Sequence, residues 1–217
     1  MIRSQNPKGR YRPFTLSDVE IFTRIWVQPR MVLGYINEYR YDTYTLALLL
    51  ITAVAYSLEL AAANTLGEHM TLPLLLVITT VLGGILGTII FYIYAAVTSW
   101  TGEWFTGLGS TNGIIRVFAY SMTPILFVLL LIIAKVVVFG PDLFKEDMNL
   151  VAYDSATSLF YVIASTIELT LAIWSIYLTV VGVSQAQRIS IGKSALNVLT
   201  SALIIAIAVA VCTLPFL

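Results

Sequence analysis

Charge is what this sequence has least of. Asp, Glu, Lys and Arg make up 11% of its 217 residues, while 59% are hydrophobic and the mean hydropathy is +0.89. A soluble domain carries about 25% charged residues, so this composition excludes an ordinary soluble fold and reads as an integral membrane protein. Net charge is zero, so bulk charge points to no partner, and no nucleic acid is expected among them. The one cysteine, Cys212, leaves no intramolecular disulfide, and with a single histidine, His69, a structural zinc site is excluded as well. No metal and no cofactor is expected. Catalytic signatures are missing too: the chain has no H-E-x-x-H, no G-x-S-x-G and no Walker A loop. The stretch "GLGSTNG" (107–113) lacks the G-x-G-x-x-G spacing, follows no strand and has no lysine in place. The connections between apolar segments are too short for a soluble catalytic domain, so an enzyme is not expected. The N-terminal "MIRSQNPKGRYRPF" has no apolar stretch behind it, so no cleavable signal peptide is expected and the first span would serve as the targeting signal.

What the chain does have is long apolar runs. Five cover roughly 43–65, 72–99, 118–139, 158–183 and 194–214. Each reaches the ~20 residues a helix needs to cross the hydrocarbon layer, and in lipid the backbone satisfies its own hydrogen bonds as a helix. The expected fold is all-α: a polytopic membrane bundle of five transmembrane helices behind an N-terminal amphipathic helix. Residues 1–42 form a cytoplasmic segment and residues 43–217 the five-span domain. Arg3, Lys8, Arg10, Arg12, Arg24, Arg30 and Arg40 precede the first span; Arg116, Arg188 and Lys193 fall on the same side. The other side has Lys145, with Lys135 at the end of its span. The bias predicts a cytoplasmic N-terminus and a C-terminus outside or in a lumen. The acidic connection "PDLFKEDMNLVAYDS" suits the outer side. Tyr39, Tyr41, Tyr44, Trp100 and Trp104 sit where an aromatic belt is expected.

Before the first span, "LSDVEIFTRIWVQPRMVLGYI" opens with Ser17 and Glu20 at capping-box spacing. Val19, Phe22, Ile25 and Trp26 share one helical face, with Arg24 off it. This predicts a short amphipathic helix, ended or kinked near Pro29, lying on the membrane surface; packing against the protein's own bundle is the alternative.

Three ionisable residues fall inside the spans: Glu59, Lys135 and Glu168. Each costs at least ~2.5–3.5 kcal/mol when charged in lipid, and such residues pair or face a wet cavity. Counted from the span centres at 1.5 Å per residue, they lie about 7, 9 and 3 Å outward respectively. The third and fourth spans are consecutive and antiparallel, and a lysine stem covers the remaining depth difference. Glu168 is therefore expected to pair with Lys135, with Glu59 nearby or neutral. The alternative has these groups only fixing helix register, or Glu168 neutral on Ser165, Thr166 or Thr170. In the second span, "TTVLGGILGT" places Gly83 and Gly87 at small-xxx-small spacing with Gly84 beside them. Packing within the bundle is expected there; a homo-oligomer contact is the alternative.

"WFTGLGSTNGIIRVFAYSMTPILF" (104–127), with a Gly-rich loop, then "AYS" and a proline three residues beyond the Tyr–Ser pair, resembles the Yip family of Ypt/Rab-interacting multi-span membrane proteins. "WVQPRMVLGYI" is similar to the Pro-Arg segment before the spans of prokaryotic members, and "IWSIYLTVVGVSQAQRISIGKSAL" to the fourth span and its short loop. The resemblance carries over Gly107, Gly109, Tyr120, Ser121 and Pro124, and also Pro29, in structural roles; the loop glycines would permit a tight return between spans. It implies five spans and a non-enzymatic scaffold or adaptor that binds membrane lipid and other membrane proteins, accessory to trafficking or to a transport complex. Eukaryotic members engage Rab-type GTPases through a long cytoplasmic region. About 42 residues precede the first span here, so the expectation is a prokaryotic plasma-membrane relative without a GTPase partner. The contrasting reading is a small proton- or cation-coupled transporter using Glu59, Lys135 and Glu168.

Overall fold

The structure, a computed structural model, describes residues 15–146 and 153–213. Arg3, Lys8, Arg10 and Arg12, part of the acidic connection and the side chain of Cys212 lie outside the described residues. No strand occurs among those described, and five helical segments there are long and apolar enough to cross a membrane. The protein is an integral, multi-pass membrane protein.

The described residues begin with two short helices rather than one. Ser17 caps α1 (Asp18–Arg24): its Oγ accepts from the Glu20 amide at 3.3 Å, and its own amide donates to the Glu20 carboxylate at 3.1 Å. Pro29 does not end this helix but starts a second, α2 (Pro29–Glu38), at the position where a missing N–H is no loss. The most buried side chains of the pair, Ile21, Ile25, Val32, Leu33 and Ile36, pack into the protein's own core. Val19, which the sequence pattern puts on the apolar face, is 72% exposed.

The first span is α3 (Thr45–Ala63). The second runs without interruption over Leu72–Phe105 as α4 (Leu72–Ile78), a wide π turn (Thr79–Gly83) and α5 (Gly84–Gly102). The third apolar run is split. Thr111–Ser121 forms α6, and the spanning helix α7 (Ile125–Phe139) starts only after Pro124. The expected span over 118–139 therefore begins too early: residues 118–121 belong to α6. Proline explains the break. Pro124 has no N–H to give to the Tyr120 carbonyl one turn back, and that carbonyl is satisfied instead by the Thr123 amide at 3.1 Å and the Thr123 hydroxyl at 2.7 Å. Asp154 caps α8 (Ser155–Gln187), and α9 (Ile191–Thr213) is the last span.

With the side holding residues 15–44 called near, the spans alternate near to far. Two apolar cores result, one at each end. The near core joins α1 and α2 to α6 and the second half of α8, with Phe118, Tyr120, Ile114 and Leu178 fully buried. The far core joins the ends of α3 and α7 to α4 and the turn Gly140–Phe144. The broad outer surface of the spans is apolar, with Leu60, Leu82, Ile133 and Leu169 all exposed. Only lipid makes such a surface stable, because water penalises exposed apolar area roughly in proportion to its extent.

Candidate functional site

The far end of the bundle holds the buried charges. Lys135 lies near the far end of α7, and its Nζ is 2.5 Å from Glu168 Oε2 on α8. The two side chains are 10% and 9% exposed. Lys135 Nζ is also 5.4 Å from the ring centroid of Tyr161, which lies two turns before Glu168 on the same face of α8. Glu59 on α3 is half-buried and close enough to interact electrostatically with both members of the pair. The pair leaves a remainder: Glu168 Oε1 is buried without a hydrogen-bond partner among the described residues. Thr166 and Thr170, two of the partners expected for a neutral Glu168, donate instead to the carbonyls of Val162 and Thr166, each at 2.8 Å.

The glycines of the second span face the first. A Cβ at Gly87 would sit 2.7 Å from Ala53 Cβ, one at Gly84 3.2 Å from Val54 Cγ2, and one at Gly83 on the Ser57 side chain. At Gly83 and Gly87 no Cβ fits without a shift, and at Gly84 the neighbour would have to give by a few tenths of an ångström, so α3 and the start of α5 are in backbone-close contact. Beside them, a groove of about 370 Å³ is lined by apolar residues such as Leu50, Val54, Ile85 and Leu129, with Thr80 and Gly84. None of the three charges lines it.

The near end holds the motif residues. Gly107 and Gly109 do not take the left-handed backbone that a tight glycine turn requires; in that loop Thr106 does, at φ 68°. What these glycines supply is room for a close approach. A Cβ at Gly109 would lie 2.7 Å from Gln187 Cγ and 3.0 Å from the Ala186 carbonyl, and one at Gly107 2.9 Å from Gln187 Oε1. Gly102 meets the same side chain. The loop is thus pressed onto the end of α8, and the Leu108 amide donates to the Gln187 carbonyl at 3.1 Å.

Gln187 in turn organises a buried polar network. Its Nε2 donates to the Thr98 carbonyl at 2.8 Å, and its Oε1 accepts from Asn197 Nδ2 at 2.8 Å. Thr101 donates to Asn197 Oδ1 at 2.6 Å. Gln187, Asn197, Thr98, Thr101 and Ser201 are all fully buried or nearly so. Sequence reasoning passed over this network. Two amides, at the inner ends of the fourth and fifth runs, were the available signal, since an amide in a span seeks a partner on another helix.

Tyr120 is fully buried, and its hydroxyl accepts from the Tyr44 amide at 3.2 Å. Its ring neighbours Phe22 and Tyr41, at 6.1 and 5.9 Å between centroids. The hydroxyls of Tyr41 and Tyr44 both donate to the Asp18 carboxylate, at 2.5 and 2.6 Å. Two of the tyrosines assigned to the interfacial belt are thus a tether for α1. These hydrogen bonds hold the Asp18 carboxyl below its usual pKa. Ser121 donates to the Val117 carbonyl at 2.6 Å, and its Oγ lies 3.2 Å from where Gly182 of α8 would carry a Cβ.

The motif therefore reads as one packing unit running from the 103–110 loop through α6 to Pro124. A family model for the Yip1 domain matches residues 23–213. The chain belongs to the Yip1 family. No curated protein and no solved structure matches it. Within this Yip1 domain the family-like residues and the intramembrane charges occupy opposite ends of the bundle. The match begins inside α1, and α1 and α2 share the near core with the spans.

Proposed function

We propose that this Yip1-family protein is a non-enzymatic membrane scaffold or adaptor that binds other membrane proteins or shapes lipid, accessory to trafficking or to a transport complex. The observation that carries this reading is where the motif residues go. All five are spent on packing: Gly107 and Gly109 seat the loop on α8, Ser121 lies at the α6–α8 contact, Tyr120 ties α6 to the start of α3, and Pro124 separates α6 from α7. A rigid near-side platform is what such packing produces, and residues such as Val27 and Leu108, each 82% exposed, stand on it. The same end carries Arg24, Arg30, Arg40, Arg116, Arg188 and Lys193, against Lys145 at the other, which supports a cytoplasmic near side. A prokaryotic plasma membrane is the proposed location. The glycines of the second span meet α3 of the same chain, which supports their use inside one bundle rather than between copies.

The test places a photo-crosslinker at Val27 or Leu108 in the native membrane. Recovery of one specific membrane protein from either position supports the scaffold. Adducts with lipid alone at both positions would leave lipid shaping and remove the adaptor role.

A further inference from the structure

We propose that Glu59, Glu168 and Lys135 form a proton-binding site that holds one proton on its two carboxyls. Fully ionised, the three groups sum to one negative charge: Lys135 and Glu168 are paired at 2.5 Å, and Glu59 follows Leu58 of α3 in the same far core that takes Tyr161 and Val136, the residue after Lys135. The Lys135–Glu168 bridge cancels one carboxylate. The second carboxylate has no cation of its own, since the Lys135 ammonium is committed to Glu168 at 2.5 Å and lies over the Tyr161 ring. A charge left uncompensated in low dielectric takes up a proton rather than staying ionised.

The second observation is the vacant acceptor. Glu168 is 8% exposed, and its Oε1 is buried with no hydrogen-bond partner among the described residues. A protonated Glu59 supplies the one kind of group this oxygen lacks, an O–H donor. The step is simple in balance: a proton from the aqueous phase forms one O–H bond, no other bond breaks, and the site goes from a net charge of minus one to zero. Other ionisable groups near the site do not supply the missing charge. Tyr56 lies one turn before Glu59 and Tyr161 faces Lys135; both are neutral when protonated. Beyond the span ends, Lys145 is closed onto Asp142 at 2.9 Å, and Glu68 accepts from the Glu146 amide.

This inference is independent of the scaffold reading: crosslinking can fail while the site holds its proton, and the reverse. The experiment is infrared difference spectroscopy on the full chain in lipid nanodiscs at neutral pH, in water and in deuterium oxide. The wild type is expected to show a protonated-carboxyl band that shifts on deuteration. Glu59→Gln leaves a neutral Glu168–Lys135 pair, and Glu168→Gln leaves Glu59 with the lysine, so either variant should lose the band. Lys135→Met leaves two carboxyls without a cation, so its band should roughly double. A wild type with no such band overturns the proposal without any variant. A band that survives unchanged in the near-isosteric Glu59→Gln chain overturns it as well.

Discussion

Lys135 and Glu168 meet at 2.5 Å across the α7–α8 contact, each about nine-tenths buried. In a bundle surrounded by lipid, such a pair fixes the register of two helices that otherwise present interchangeable apolar faces. Truncating one partner strands the other in low dielectric, which costs about 3–5 kcal/mol. Lys135→Met is therefore expected to lower the unfolding midpoint in detergent strongly. The double variant Lys135→Met/Glu168→Leu should recover most of the loss, because an apolar pair of similar volume is tolerated where a lone charge is not. A thermal-unfolding series on the four chains of this cycle measures it.

Gly109→Ala is expected to destabilise by about 1–3 kcal/mol through overpacking against Gln187 and the Ala186 carbonyl. Trimming the obstacle should partly relieve it, so Gly109→Ala combined with Gln187→Ala should cost less than the sum of the two single changes. If the two effects simply add, the loop is not packed on that side chain.

Gln187→Leu removes a donor to the Thr98 carbonyl and an acceptor for Asn197 at once. Asn197 Nδ2 still donates to the Thr98 carbonyl at 3.1 Å, so the change orphans one buried amide N–H, which costs about 1–3 kcal/mol. The loss should appear as faster hydrogen exchange at the near ends of α5, α8 and α9, with the far core unaffected.

Asp18 gives a pH prediction. Its folded-state pKa is depressed by hydrogen bonds from Tyr41 and then Tyr44. The stabilisation it contributes is present above the unfolded carboxylate value of about 3.9 and is lost as pH falls through the lower folded value. Docking of α1 should therefore be constant from neutral pH down to about pH 4 and weaken below it. Trp26, whose ring lies edge-on to Phe127 at 5.8 Å, reports this by fluorescence in a chain whose other tryptophans are replaced by phenylalanine. In Asp18→Asn the transition should shrink to what Glu20 contributes, whose carboxyl is also held low by its Ser17 hydrogen bonds.

Tyr120→Phe deletes the acceptor of the Tyr44 amide while keeping the ring among Phe22 and Tyr41. The expected cost is about 0.5–1.5 kcal/mol, with the helix content unchanged by circular dichroism. A larger loss would mean that the hydroxyl carries more of the junction between α6 and the start of α3 than one hydrogen bond does.

The sequence by itself determined the class of this protein: scarce charge and five apolar runs leave only a membrane helix bundle, because hydropathy is local and lipid enforces helices. The Ser17–Glu20 cap was legible for the same reason, since both partners lie within one turn. Depth along the spans even brought Lys135 and Glu168 within reach of a lysine stem, because helical rise is uniform. What only the tertiary structure decided was lateral. Apolar residues all suit lipid equally, so nothing in the pattern says that Ile21 and Ile25 turn inward while Val19 stays out. The split at Pro124 became clear only when α6 proved to be buried on nearly every side. The glycines of the 103–110 loop carried no sign of the distant helix end they face. Contacts between residues far apart in the chain have no local signature, and in a membrane the hydrophobic pattern that sorts inside from outside in water is silent.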